Sequence, residues 1–423
     1  MLFKSNNFLR SCAVSALIMS MPATANAAGF YIQEQSVSGL GSAFSGSTTN
    51  LDDPSTIYFN PAGMTKLSGT QAQLGVHLLV PSSELTDTGS TVPVGAIGGD
   101  GGNPYSPSPV PNGYLSHEVG HGFWAGIGIS APFGLANEYD EDYFARFDSI
   151  ETELTVIDIQ PTIAYKVNDQ LSIAAGLNFQ HSDAKLTSAF YAGVGAEGTS
   201  ELAGDDWGYG YTLGLLYQPM ESTTVGFNYR STVHHTLDGE VTVEGTGLGP
   251  GVDNVTDATA KLATPDVATL GVSHDLDEQW TIMAQATWFG WNNFQDITAR
   301  NKATGAVIGV PIVQNYQTTW AFALGAEYMY SDEWTFRGGV QLDETPTTDL
   351  YRTTRTPDGD RTWLSLGATY DMNESLSLDM AATYIFISDE DINVSRNPLS
   401  PSTISADTEG NVGILALGAT YKF

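Results

Sequence analysis

The chain is predicted to be all-β: a fourteen-stranded antiparallel transmembrane β-barrel with an N-terminal hatch, or plug, inside its lumen. Three observations predict it. Long stretches alternate strictly between apolar and small or polar residues, very short polar turns alternate with long loops, and the last strand ends the chain on an aromatic residue.

The C-terminal strand is the most specific of these. Leu415, Leu417, Ala419, Tyr421 and Phe423 share one face, and Ile414, Ala416, Gly418, Thr420 and Lys422 share the other. A terminal Phe with an aromatic two residues earlier resembles the strand by which outer-membrane barrels are recognised for assembly. The barrel-assembly machinery is therefore an expected partner through Phe423. The same period runs through Leu376–Phe386, Trp334–Asp343, Trp320–Tyr330 and Trp280–Trp288. Apolar stripes that end on Trp or Tyr suit a lipid-facing wall with aromatic girdles at its two interfaces.

Short links fall at 119–122, 166–170, 218–221, 275–279, 331–333 and 371–375. Between them lie Pro-, Gly- or acid-rich segments near 83–110, 135–151, 190–206, 245–260, 295–312, 344–359 and 390–408. Six turns and seven loops connect fourteen strands, the even number expected of a single-chain bacterial barrel. Closure is what allows such a chain to cross a bilayer, because every backbone group then finds a partner.

The N-terminus sets the compartment. Lys4 and Arg10 precede the apolar stretch Cys12–Met21, and Ala25-Asn26-Ala27 reads as a small-x-small cleavage site. Residues 1–27 are thus an expected signal peptide, too short in its apolar part to span a membrane. Residues 28–65 are the expected hatch and 66–423 the barrel, located in a Gram-negative outer membrane. Cys12 is the only cysteine, so cleavage leaves no thiol for a disulfide, a nucleophile or a Cys-based metal site.

Composition excludes other classes. A formal charge of −32 argues against nucleic acid, which needs clustered Lys and Arg. Charged residues are only 15% of the chain, so this is not a solvated acidic tail, whereas 45 Gly and 19 Tyr fit many strands and turns. The seven His are scattered, and His234 and His235 are adjacent, so on a strand they face opposite sides. No metal and no cofactor is expected. No nucleophile elbow or other catalytic signature stands out, so an enzyme is not expected.

Residues 28–65 read AGFYIQEQSVSGLGSAFSGSTTNLDDPSTIYFNPAGMTKL when continued to Leu67. Small residues dominate and alternation is weak, as a segment packed closely against an inner barrel wall requires. AGF, SGLGSAFSG and DDPSTIYFNPAGM resemble the hatch of the FadL family of outer-membrane fatty-acid and hydrocarbon transporters. APFGLANEYD at Ala131–Asp140, WGYGYTLGLLY at Trp207–Tyr217, VGFNYRS at Val225–Ser231, DEWTFRGGVQLDETP at Asp332–Pro346 and DRTWLSLGATY at Asp360–Tyr370 extend the resemblance across the mature chain.

That resemblance implies passive transport of a hydrophobic ligand, a fatty acid or hydrocarbon, through a lumenal pocket and out sideways into the lipid where the third strand is kinked. Phe30 matches the tail that reaches into the pocket, although it could simply anchor the terminus. Asn60, Pro61 and Ala62 suit a rigid hatch turn, since Pro fixes φ and lacks a donor while the Asn amide can bond backbone. Pro132, Phe133 and Gly134 mark either a break in wall pairing or an ordinary strand end. Where the family's fatty-acid carriers place basic pocket residues, this sequence has Asp183 and Gln317; Lys185 or Arg230 could substitute. A buried unpaired carboxylate is costly, so neutral aromatic or alkane compounds stand beside fatty acids as ligands. A general diffusion porin is the rival reading, and it would lack a hatch. Outer-membrane lipid and lipopolysaccharide are the expected surroundings, and a monomer is expected.

Overall fold

A computed structural model describes residues 29–193, 195–396 and 402–423. The expected signal peptide and Ala28 lie outside the described residues. The wall strands are β1 (Thr70–Asp87), β2 (Ser108–Gly120), β3 (Phe123–Glu138), β4 (Glu151–Lys166), β5 (Leu171–Tyr191) and β6 (Glu197–Met220). β7 comes in two halves, Thr223–Arg230 and His234–Glu244, as does β8, Asn254–Ala263 and Val267–Asp275. β9 (Trp280–Phe289), β10 (Thr319–Met329), β11 (Trp334–Asp343), β12 (Arg361–Asn373), β13 (Leu376–Arg396) and β14 (Ser402–Lys422) complete the wall. Each strand pairs antiparallel with its neighbours, and β1 pairs with β14 from Gln71↔Lys422 to Asp87↔Ala406, closing a fourteen-stranded barrel.

Outward positions carry the apolar residues that the alternation assigns to lipid: Leu74, Val76 and Leu78 on β1, Leu213 and Leu215 on β6, Leu364 and Leu366 on β12, Leu415 and Leu417 on β14 are all exposed. Ring pairs Trp280–Tyr328, Trp334–Tyr370 and Tyr421–Phe423 stand at the turn end, 4.6, 4.7 and 4.8 Å between centroids. They form one of the two aromatic girdles.

Two segments expected as loops are strand instead. β5 and β6 pair up to Tyr191↔Glu197, and β13 and β14 pair up to Arg396↔Ser402, so most of the described residues within 190–206 and 390–408 belong to long hairpin arms. Above the lipid both faces of a hairpin meet water, so a strand there needs lateral partners but no apolar face. Its polarity therefore reads as loop. The first strand also starts later than expected, at Thr70 rather than Lys66.

Residues 29–67 lie inside the barrel and are nearly all buried. Two short α-helices, α1 (Val37–Gly41) and α2 (Thr56–Phe59), alternate with two 3-10 turns, Ser47–Thr49 and Pro61–Lys66. Ser36 caps α1 by accepting from Gly39 N at 3.1 Å, and Asp53 accepts from Ser55 N at 2.8 Å to set the turn before α2.

A helix-poor plug leaves backbone groups that the wall must satisfy. Gln285 Oε1 accepts from Ser47 Oγ and Thr48 N at 2.9 and 3.2 Å, Gln160 Nε2 donates to Ile57 O at 2.7 Å, and Tyr114 Oη donates to Gln35 O at 2.8 Å. Wall glycines make room for the plug. A Cβ on Gly339 would sit 2.0 Å from the Ser42 carbonyl oxygen, one on Gly226 equally close to that of Thr48, and one on Gly367 2.6 Å from Gly41 Cα. The small lumen face of the sequence is thus a seat cut to the hatch. On the cavity side of the hatch, Arg230 is fully enclosed, with Nη1 on Asp158 at 2.6 Å, Nη2 on Gln160 Oε1 at 2.7 Å and its guanidinium 4.3 Å over the Tyr58 ring.

Candidate functional site

Above the hatch lies a small apolar cavity of about 80 Å³. Leu154, Ala184, Leu202, Leu237, Ala260 and Leu262 line it from β4 to β8. Each belongs to the inward-facing set of its strand, so the same period that points Leu213 at lipid points these residues at the lumen.

Phe30 closes one side of the cavity. Its ring meets Trp291, Phe294 and Phe133 edge-on at 4.7, 5.2 and 6.0 Å, with Tyr316 at 6.4 Å. Trp291, Phe294 and Tyr316 come from the long segment 290–318 between β9 and β10, which folds back into the barrel mouth. Burial pushes the Tyr316 hydroxyl above its ordinary range. The tail is tethered one residue earlier, where Gly29 N donates to Asp358 Oδ2 at 2.8 Å. Asp358 in turn accepts from Arg361 and from Thr345 Oγ1.

β3 carries the second feature. It pairs with β2 only from Gly120↔Phe123 to Gly113↔Ile129, while its pairing with β4 continues past a bulge between Ser130 and Phe133 to Glu138↔Glu151. Beyond Ile129 the in–out alternation of burial is lost, and Ser130 to Leu135 are all buried, so the strand bends into the lumen. The stretch expected to be unpaired is not bare. Ile32 N donates to Pro132 O at 2.8 Å and Gly134 N to Phe30 O at 2.9 Å, so the tail replaces β2 as its neighbour.

Gln35, fully buried, adds a side-chain clamp: its Nε2 donates to Ala131 O at 2.9 Å, and its Oε1 accepts from Ala131 N at 3.2 Å. Across the gap, β2 presents Pro109 and Pro111, which cannot donate to β3 any more than Pro132 can donate to β2. Only Pro132 stands out in the sequence as a break. The two prolines on the facing edge become meaningful once β2 and β3 are seen side by side.

The hatch turn is held by Asn60. Its Nδ2 donates to Thr48 O at 2.8 Å and to the wall carbonyl of Leu215 at 3.0 Å, and its Oδ1 accepts from Ala62 N at 3.3 Å. Pro61 opens the following 3-10 turn, where a missing donor costs nothing. Asn60, Pro61 and Ala62 therefore sit together as an anchor between hatch and β6, away from the cavity lining.

Lys185 does not join the cavity. It shares the outer face of β5 with Asp183, one residue out of phase with Ala184 and Leu186, which line the pocket. Its ammonium is 2.7 Å from Glu151 and 3.8 Å from Glu201. Arg230 is committed to Asp158 and lies against the hatch residue Tyr58, and Gln317 is exposed. The polar groups that do border the cavity include Gln314, with a buried Oε1 that has no hydrogen-bond partner. Arg355 also borders it, donating to Glu151 O, Thr152 Oγ1 and Thr187 O. Among the described residues no cluster of His, Cys, Asp and Glu could hold a metal ion.

A closed barrel with a lipid-facing apolar wall, a hatch across its lumen and a greasy cavity beside an interrupted strand pair defines a plugged transmembrane transport barrel. The chain belongs to the family described as outer membrane protein transport protein (OMPP1/FadL/TodX), whose sequence signature matches residues 18–423. It is similar to the long-chain fatty acid transport protein of Escherichia coli O6:H1, 26% identical over 414 residues covering 88% of this chain and 90% of that protein. The structure of a Pseudomonas aeruginosa FadL homologue superposes with a TM-score of 0.88 at 25% identity, covering 94% of this chain and all of that one. The Ralstonia pickettii toluene transporter TbuX shares the fold, with a TM-score of 0.65 at 21% identity over 87% of this chain and 94% of the other.

Proposed function

We propose that the protein carries neutral hydrophobic molecules, aromatic or alkane, across the outer membrane by passive diffusion. They would bind in the cavity beside Phe30 and leave sideways through the gap between β2 and β3. The observation that carries this reading is the cavity lining. It is dominated by Leu, Ala and Phe, and of the two cations on its border the Arg355 guanidinium is already bonded to three oxygens of the protein while Lys261 is an exposed residue. A fatty-acid carboxylate would find no buried, uncommitted cation in this site, and burying it unpaired is costly. A neutral ligand incurs no such cost.

In this reading Phe30 occupies the ligand's place until displaced. Pro132, Phe133 and Gly134 form the gap's inner rim, Asn60, Pro61 and Ala62 keep the hatch fixed, and Lys185 has an outer-surface role. Long-chain fatty acids are the second reading, favoured by the similarity to a long-chain fatty acid transport protein and by the cations Arg355 and Lys261 at the cavity's border. Maturation by cleavage near Ala27, assembly through Phe423 and a monomeric state in lipid and lipopolysaccharide complete the proposal; no cofactor or energy-coupling partner is involved.

Equilibrium binding of radiolabelled naphthalene and of palmitate to the purified barrel tests it. Saturable naphthalene binding, abolished by Leu237→Trp, is expected. Palmitate bound in strong preference to naphthalene would favour the fatty-acid reading, and binding of neither would remove the cavity from the mechanism.

A further inference from the structure

The wall is interrupted a second time, between β6 and β7. Their ladder runs from Thr199↔Glu244 to Asp205↔Asp238 and resumes from Thr212↔Arg230 to Tyr217↔Val225. Between these blocks, Asp206 to Tyr211 have no ladder pairs with β7. An ordinary bulge adds one residue and disturbs the ladder only locally. Here the register also shifts by one residue, yet six residues of β6 lose their ladder partners. The lower end is bridged by Ser231, whose N donates to Tyr211 O at 2.9 Å and whose Oγ accepts from Tyr211 N at 2.9 Å. The upper end is bridged by Thr236 N to Asp206 Oδ2 at 2.8 Å.

β7 is not strand at Ser231–Val233, and this segment bends into the lumen. Cβ atoms built on Gly208 and Gly210 would lie 2.4 and 2.7 Å from the Val233 methyls, and one on Gly208 would lie 2.7 Å from His235 Cε1. Val233 and His235 therefore cover the inner faces of the two glycines. The kink is tied to the other side instead, with Thr264 N donating to Val233 O at 3.0 Å and Val233 N to Thr264 Oγ1 at 3.1 Å.

Two further facts give this seam a function. Outside it, Trp207, Tyr209 and Tyr211 are exposed in a row, the aromatic edge expected where wall meets the membrane interface. Inside it, on the same faces of the same strands, Gly204 and Leu237 line the cavity. Val233 and His235 are the side chains packed over the seam's glycines from within. One of them, His235, is buried with both ring nitrogens unbonded, the nearer 3.6 Å from Asp206. A buried polar group without a partner weakens the packing that holds it. The closed seam thus lacks both ladder bonds and a well-satisfied plug.

The geometry points to the β6–β7 seam as a second lateral port, through which hydrophobic solutes dissolved in the outer-leaflet acyl chains reach the cavity when Val233 and His235 swing aside. It rests on the cavity reading above, and adds where the ligand comes from.

The test is a reversible lock. Cys12 is the only cysteine, so Gly210→Cys with Val233→Cys introduces a pair of its own within disulfide reach. Uptake of radiolabelled naphthalene by intact cells should be lost on oxidation and recovered on reduction, while the oxidised purified barrel still binds naphthalene. Gly208→Cys with Val233→Cys repeats the lock from the neighbouring glycine, whose Cβ would lie 2.4 Å from a Val233 methyl. Equal uptake in the oxidised and reduced states of either cross-linked pair would overturn the port. Failure of the unlocked purified barrel to bind naphthalene would instead strike the cavity reading, and the port with it.

Discussion

The amide of Ile32 donates to the carbonyl of Pro132 at 2.8 Å, so the first residues of the hatch serve as a strand on the bent part of β3. Phe30, two residues before, sits in the cavity wall. A ligand that pushes Phe30 aside must therefore disturb the contact that covers the open edge of β3. Phe30→Gly should increase the cavity's capacity for naphthalene and loosen the tail, seen as faster hydrogen exchange at Ile32 and Gly134. Unchanged binding and exchange would reduce Phe30 to an anchor.

The gap between β2 and β3 has donor-less residues on both rims. Pro132→Val alone restores one donor facing an edge that still holds Pro109 and Pro111. The triple change of Pro109, Pro111 and Pro132 to Val should let the two strands zip together. Uptake should fall with the triple variant, with binding in the cavity retained. Full uptake by a triple variant whose β2–β3 amides have become protected would rule out sideways exit at this gap.

The hatch seat is tight at Gly339, where a Cβ would collide with the Ser42 carbonyl. Gly339→Val should cost about 1–3 kcal/mol, the usual penalty for overpacking. It should also raise steady ion current in planar bilayers as the hatch shifts. A wild-type current from a variant that still folds would show that the hatch yields without opening a path.

The Arg230–Asp158 pair lies against the hatch residue Tyr58, both side chains buried. Arg230→Met should destabilise the barrel by about 3–5 kcal/mol because it leaves a buried carboxylate uncompensated. Removing the carboxylate as well, with Asp158→Leu, should recover most of the loss. Heat-induced gel shifts of the single and the double variant measure this. A double variant no better than the single would mean that Arg230 acts through Tyr58 and Gln160 rather than through charge.

Much of this architecture can be read from the chain because a barrel wall obeys one simple period. Leu364, Leu366 and their counterparts declare the lipid face, and turns such as Ser331-Asp332-Glu333 declare one end. The hairpins at 190–206 and 390–408 are hidden because, away from lipid and core, a strand has no apolar face to display. Lys185 is a failure of phase: placement one residue off the pocket turns a lumen side chain into a surface one. Trp291, Phe294 and Tyr316 leave no local signal, since the segment that carries them becomes part of the site only by folding back over the barrel mouth. Asn60 and Pro132 are legible by their chemistry alone, and their partners, Leu215 and Ile32, are not.

The central claim is that a neutral hydrophobic molecule replaces Phe30 in the cavity between β4 and β8. A crystal of the barrel soaked with 1-iodonaphthalene locates such a molecule directly by its anomalous scattering. The account predicts an iodine peak among Leu154, Leu237 and Leu262, with the Phe30 ring moved away from Trp291. Iodine found only on the lipid-facing wall or the outer loops at saturating ligand, with Phe30 still against Trp291, would contradict it.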